Sequence, residues 1–128
     1  MFEILGKYPD DLIRFCRESN YSNSCFMSIG KKVATEFKKP DEFSQKVLSK
    51  INMNERVHFL KGVFWIIEDI PEIGRYSIPY CDRLNSEFTK LCYSLSVIGA
   101  KKDLNNTILK NSCDMYSSNR NLCYSLIY

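Results

Sequence analysis

Six cysteines, Cys16, Cys25, Cys81, Cys92, Cys113 and Cys123, and a single histidine, His58, are the residues of this chain best suited to chemistry. An even cysteine count permits a disulfide framework. No two cysteines stand in a C-x-x-C pair, and one histidine cannot complete a zinc site of the usual kind. Cys25 and Cys92 fall on the apolar faces of expected helices, so the six are read as reduced, buried thiols. A cysteine nucleophile would need a histidine held by a third group. The only acidic residue at helical spacing from His58 is Glu55, expected in a solvated first turn. The carboxylate pairs Asp10-Asp11 and Glu68-Asp69 are local helix features with no partner that would set them up for acid-base work. The expectation is a protein without a catalytic site, metal or cofactor.

The elements that must position these residues are helical. In "RVHFLKGVFWIIEDIP", Val57, Leu60, Phe64, Ile67 and Pro71 recur every three or four residues, and Phe59, Val63, Ile66 and Ile70 widen the stripe. A helix this apolar is expected to be buried on most sides, with Phe64 and Ile67 among the most buried residues. Its narrow polar strip is His58, Lys61, Trp65 and Glu68, with Gly62 and Asp69 beside it. Trp65 is therefore either half-covered by a neighbouring helix or the floor of a groove.

Before this helix, Pro9-Asp10-Asp11 opens a first helix with Leu12, Ile13, Phe15 and Cys16, ending near Asn20. Ser22-Asn23-Ser24 caps a second, in which Phe26, Ile29, Val33 and Phe37 form the buried stripe, ending at Lys38-Lys39. Pro40-Asp41-Glu42 starts a third, with Phe43, Val47, Leu48 and Ile51 inward. After the turn signals of PEIGRYSIPYC, residues Tyr80, Leu84, Phe88, Leu91 and Leu95 mark a fifth helix closed by Gly99. Leu104, Ile108, Leu109, Met115 and Tyr116 mark a sixth, broken by Ser117-Ser118-Asn119, and Leu122 to Tyr128 a last short one. No strand-like alternation and no fixed repeat period stands out. The expected fold is all-α, a right-handed superhelix of about six to eight short helices.

At 128 residues and a formal net charge of +3, the chain reads as one domain, 1–128, with no basic field large enough for direct nucleic-acid binding. No run reaches the roughly 18 to 20 apolar residues of a membrane span, and the N-terminus lacks the form of a signal peptide. The expectation is a soluble, intracellular protein without a membrane partner. Eight tyrosines suit an interaction surface, with Tyr76 and Tyr80 as candidate contacts. The lysine pairs Lys31-Lys32, Lys38-Lys39 and Lys101-Lys102 are read as solvated helix ends.

The order of these motifs resembles the CTD-interacting domains, helical modules related in shape to VHS and ENTH domains that bind the carboxy-terminal repeat of RNA polymerase II. F-W-I-I-E-D-I, Phe64 to Ile70, is similar to that family's central F-Y-x-x-D-S-I core. The segment "SIGKKVATEFKKPDEFSQKVLSKINMNERVHFL" resembles its second and third helices, with Arg56 at the basic position opening the fourth. The departures, Glu68-Asp69 for Asp-Ser and Lys110 for an arginine, resemble the branch formed by gamma subunits of the kinase that phosphorylates this repeat. The resemblance implies a nuclear, non-catalytic transcription domain that scaffolds cyclin and kinase subunits. Alternatively, the domain reads the RNA polymerase II C-terminal repeat in a groove of Arg56, His58, Lys61, Trp65, Glu68, Asp69 and Lys110. A third reading is a helical adaptor or host-interaction protein outside transcription.

Overall fold

A computed structural model describes residues 9–36, 40–67, 76–101 and 105–128. All the regular structure among the described residues is helical, as expected: eight helices and no strand. The chain forms two compact units, one up to Ile66 and one from Ile67.

The first unit holds α1 (Pro9–Glu18), α2 (Ser22–Glu36), α3 (Pro40–Leu48) and α4 (Met53–Ile67). Proline at the first position of α1 and α3 surrenders only an N–H that no helical carbonyl would accept. In α1, Asp10 and Asp11 sit in the first turn and Arg17 in the last, each matching the local sign of the helix dipole. Phe26, Ile29 and Val33 of α2 are buried at the spacing of a single stripe, as are Val47, Leu48 and Ile51 in and after α3. Phe37 and the pair Lys38-Lys39 lie outside the described residues, as does the Phe43 side chain.

Helix α4 begins with a reciprocal cap. The Asn52 side-chain oxygen accepts from the Glu55 N–H at 2.9 Å, and Glu55 Oε1 accepts from the Asn52 N–H at 3.0 Å. Phe59, Leu60 and Val63 have no exposed surface, and Phe64 is buried beside them. Ile67 is only half-buried, so the deepest stripe is displaced from the one expected through Val57, Phe64 and Ile67. Two glycines cause the displacement. A Cβ added to Gly30 would overlap the Phe59 carbonyl oxygen and come within 2.9 Å of the Val63 nitrogen, and one on Gly62 would overlap the Met27 carbonyl. The backbones of α2 and α4 thus touch at a reciprocal glycine crossing, which turns the Gly62 side of α4 inward.

The second unit holds α5 (Ser77–Asp82), α6 (Ser86–Lys101), α7 (Asn106–Tyr116) and α8 (Arg120–Ile127). The single fifth helix expected from Tyr80 to Leu95 is two, α5 and α6, separated at Arg83 to Asn85. Asn85 and Glu87 flank the start of α6, a helix-initiating pattern, and the Thr89 hydroxyl donates back to the Asn85 carbonyl at 3.1 Å. The buried residues of α6 are accordingly Phe88, Cys92, Tyr93, Ser96 and Val97, while Leu91 and Leu95 are only half-buried. Helix α6 continues past Gly99 to Lys101. Asn105 caps α7, its side chain accepting from the Ile108 N–H at 2.9 Å. Leu109 and Cys113 face inward, whereas Ile108 and Met115 are exposed, and Leu104 lies outside the described residues. Helices α5, α7 and α8 all pack on α6, and the shared core is Tyr80, Phe88, Tyr93, Cys123 and Ile127.

A polar strut runs from this core to its edge. The Tyr93 hydroxyl donates to Asp82 Oδ1 and lies 2.7 Å from the Ser117 hydroxyl, while Asp82 Oδ2 accepts the Ser118 N–H at 2.9 Å. The strut fixes the α7–α8 turn to the end of α5. Burial, reinforced by the Asp82 carboxylate, pushes the Tyr93 phenol up to about 12. The phenol is therefore neutral at ordinary pH and serves as a hydrogen-bond donor, not a base.

Candidate partner surface and the cysteine pairs

The six cysteines are not free thiols. Each unites two consecutive helices: Cys16–Cys25 joins α1 to α2, Cys81–Cys92 joins α5 to α6, and Cys113–Cys123 joins α7 to α8, with Cα atoms 5.3, 5.4 and 5.8 Å apart. These separations suit a disulfide. The apolar faces that pointed to buried thiols are real, because five of the six cysteines are buried. They are buried against one another, since an inward cysteine on each arm of a helical hairpin meets its counterpart across the turn.

Glu55, expected in a solvated first turn, is also buried. Arg17, 38 residues away in the chain, donates from Nε to Oε2 at 3.1 Å and from Nη2 to Oε1 at 3.0 Å. The same guanidinium donates to the Lys50 carbonyl at 3.2 Å, so it ties α1 to the α3–α4 joint. The Arg17 hydrogen bonds hold the Glu55 carboxyl below its ordinary range, and the Asn52 N–H adds to them, against burial, which acts the other way. With its folded pKa depressed, Glu55 contributes stability that is present above the unfolded value of about 4.3 and is lost as pH falls through the lower folded value. Glu55→Gln should therefore lower the stability at pH 7 by about 1 to 2 kcal/mol, a figure kept low by the half-exposed arginine. It should also flatten the loss of stability on acidification, read by urea unfolding between neutral pH and pH 3.

Of the residues expected to line a groove, His58, Lys61 and Trp65 share one face of α4, three and four residues apart. His58 Nδ1 is 2.9 Å from the Asn54 carbonyl oxygen. Lys61 is exposed, and Trp65, which the sequence left as half-covered or as a groove floor, exposes 73 % of its surface. Its companion is Lys31 of α2, whose Nζ stands 4.6 Å from the ring centroid in a cation–π contact. Lys31 is therefore no solvated helix end; it lies one residue after Gly30, and the glycine crossing brings it to Trp65. Arg56 is turned elsewhere, its Nε donating to the Leu48 carbonyl at 2.9 Å and so closing the end of α3. Lys110 belongs to the second unit, 3.7 Å from Asp114 and 6.0 Å from the Tyr124 ring centroid. Glu68 and Asp69 lie outside the described residues. Of the candidate tyrosine contacts, Tyr76 is exposed but Tyr80 is fully buried.

Chemically, this edge offers an exposed aromatic face and cations that can stack on and attract a partner group. Among the described residues no group of His, Cys, Asp and Glu could hold a metal, and no helix is long and apolar enough to cross a membrane. No family model, curated protein or solved structure matches the chain.

Proposed function

We propose that this chain is a non-catalytic, disulfide-stapled helical interaction protein that works in an oxidising compartment and meets a protein partner outside transcription. The observation that carries this reading is the pairing of all six cysteines, one pair across each of three helical hairpins. Disulfides persist in secreted, lumenal and surface proteins, and are dense in small domains whose cores are modest. The nuclear, polymerase-linked setting implied by the CTD-interacting resemblance fits this pairing less well, because nuclear thiols are kept reduced. The partner-facing element is the Lys31, Lys61 and Trp65 edge. Tryptophan is enriched at the energetic centres of interfaces, and here one is held exposed on a rigid helix with a cation against its face.

The compartment is tested in the cell that makes the protein. Cells are quenched directly in trichloroacetic acid, the precipitated protein is dissolved in denaturant containing a maleimide, so that buried thiols react as well, and the mass of the recovered chain is measured. The expected result is an unmodified chain. A chain carrying a maleimide on every cysteine would contradict the reading and return the nuclear setting to the front.

A further inference from the structure

We infer that Cys16–Cys25 is a thiol-exchange site, opened by a low-molecular-weight thiol while the protein stays folded, and that the other two disulfides are fixed staples. The inference rests on the disulfide-stapled reading above and adds to it a division of labour among the three bonds.

Access separates them. Cys81, Cys92, Cys113 and Cys123 have no exposed surface, so a reagent reaches those sulfurs only after the second unit opens. Cys25 is half-exposed, and with Cys16 it borders a cavity of about 290 Å³ whose other walls include Leu12, Phe15, Ser28 and Ile29. Phe15 exposes 69 % of its surface at this cavity and leaves the cleft between α1 and α2 open.

Tolerance separates them as well. Without the Cys16–Cys25 bond, α1 is still held by the Arg17 pair with Glu55, by the Lys50 ammonium 2.7 Å from Asp10, and by buried Ile13. Opening this bond frees one hairpin turn and leaves the helix docked.

The chemistry is ordinary exchange. A thiolate attacks the accessible Cys25 sulfur, the bond to Cys16 breaks, and Cys16 leaves as a thiolate that takes a proton. The product is a mixed disulfide on Cys25. A second thiol molecule then attacks the mixed disulfide at the sulfur of the first, which leaves Cys25 reduced and yields the oxidised small thiol. In the reverse direction the Cys16 thiolate attacks the Cys25 sulfur of the mixed disulfide and expels the small thiol.

The test starts from native protein shown by peptide mapping to carry all three bonds, so that a failure of the stapled reading is seen before any reductant is added. Reduced glutathione is raised in steps at neutral pH, exchange is stopped with acid, free thiols are trapped with N-ethylmaleimide in denaturant, so that buried thiols are counted as well, and the alkylated positions are mapped. The expected result is glutathione or alkyl groups on Cys16 and Cys25 alone, over a range in which the helical circular dichroism is unchanged. In Cys16→Ser/Cys25→Ser, which keeps the other two bonds, the same steps should give no alkylation. Alkylation of Cys81, Cys92, Cys113 or Cys123 first or at the same step, in either protein, would overturn the inference.

Discussion

Gly30→Ala and Gly62→Ala should each destabilise the first unit by about 3 kcal/mol or more, although alanine is the better helix former by about 1 kcal/mol. The sign follows from what the added methyl would meet. At Gly30 it overlaps the Phe59 carbonyl oxygen and at Gly62 the Met27 carbonyl, and a backbone atom cannot step aside as the end of a side chain can. The helices would have to separate, and the fully buried Phe26, Val33, Phe59 and Val63 around the crossing would lose contact with them. Urea unfolding followed by circular dichroism measures the loss. Ser28→Ala, an exposed position on the same helix, is the control and should stay within about 0.5 kcal/mol of the parent. A glycine variant as stable as the parent would mean that the crossing is wider than described.

Removal of the two buried disulfides should be equally severe for the second unit. The Cys81–Cys92 and Cys113–Cys123 bonds close loops with sequence separations of 11 and 10, for which the chain-entropy argument gives about 3 kcal/mol each. Both together amount to roughly 6 kcal/mol, comparable to the whole stability of a small domain. Cys81→Ala/Cys92→Ala alone should leave a folded but weakened unit, with a small further loss from the space vacated by sulfur in a closed core. Full reduction should unfold the second unit, read as a fall in helical circular dichroism under a strong phosphine reductant. Retention of full helicity would show that the core of Tyr80, Phe88, Tyr93 and Ile127 suffices without its staples.

Much of the helical layout is legible in the residues. Pro9 and Pro40 open helices where proline can only open them, and Phe26, Ile29 and Val33 declare the buried stripe of α2 by spacing alone. The failures share a cause, because each depended on a partner distant in sequence or on a signal that a stronger pattern masked. Glu55 looks like an ordinary first-turn acid until Arg17 arrives from α1. Gly62 looks like a gap beside Trp65 until Gly30 shows that two backbones meet there, which also hides why Lys31 reaches the indole. The split between α5 and α6 is written in Asn85-Ser86-Glu87, but the run of apolar residues from Tyr80 to Leu95 continues through it. The cysteines carried a readable signal as well. They fall in pairs 9, 11 and 10 residues apart, and each pair straddles a break between helices. An apolar neighbourhood suits a buried disulfide as well as it suits a buried thiol, so the spacing, not the neighbourhood, was the informative part.

The pairing is the claim on which the rest depends, and six cysteines admit 15 complete connectivities, so its direct test is strongly selective. Protein purified without reductant is alkylated under denaturing conditions, digested, and mapped by mass spectrometry before and after reduction. The account predicts no alkylated cysteine before reduction and three linked peptide pairs, Cys16 with Cys25, Cys81 with Cys92 and Cys113 with Cys123. Alkylation of all six cysteines before reduction, or any other set of linked peptides, would contradict it.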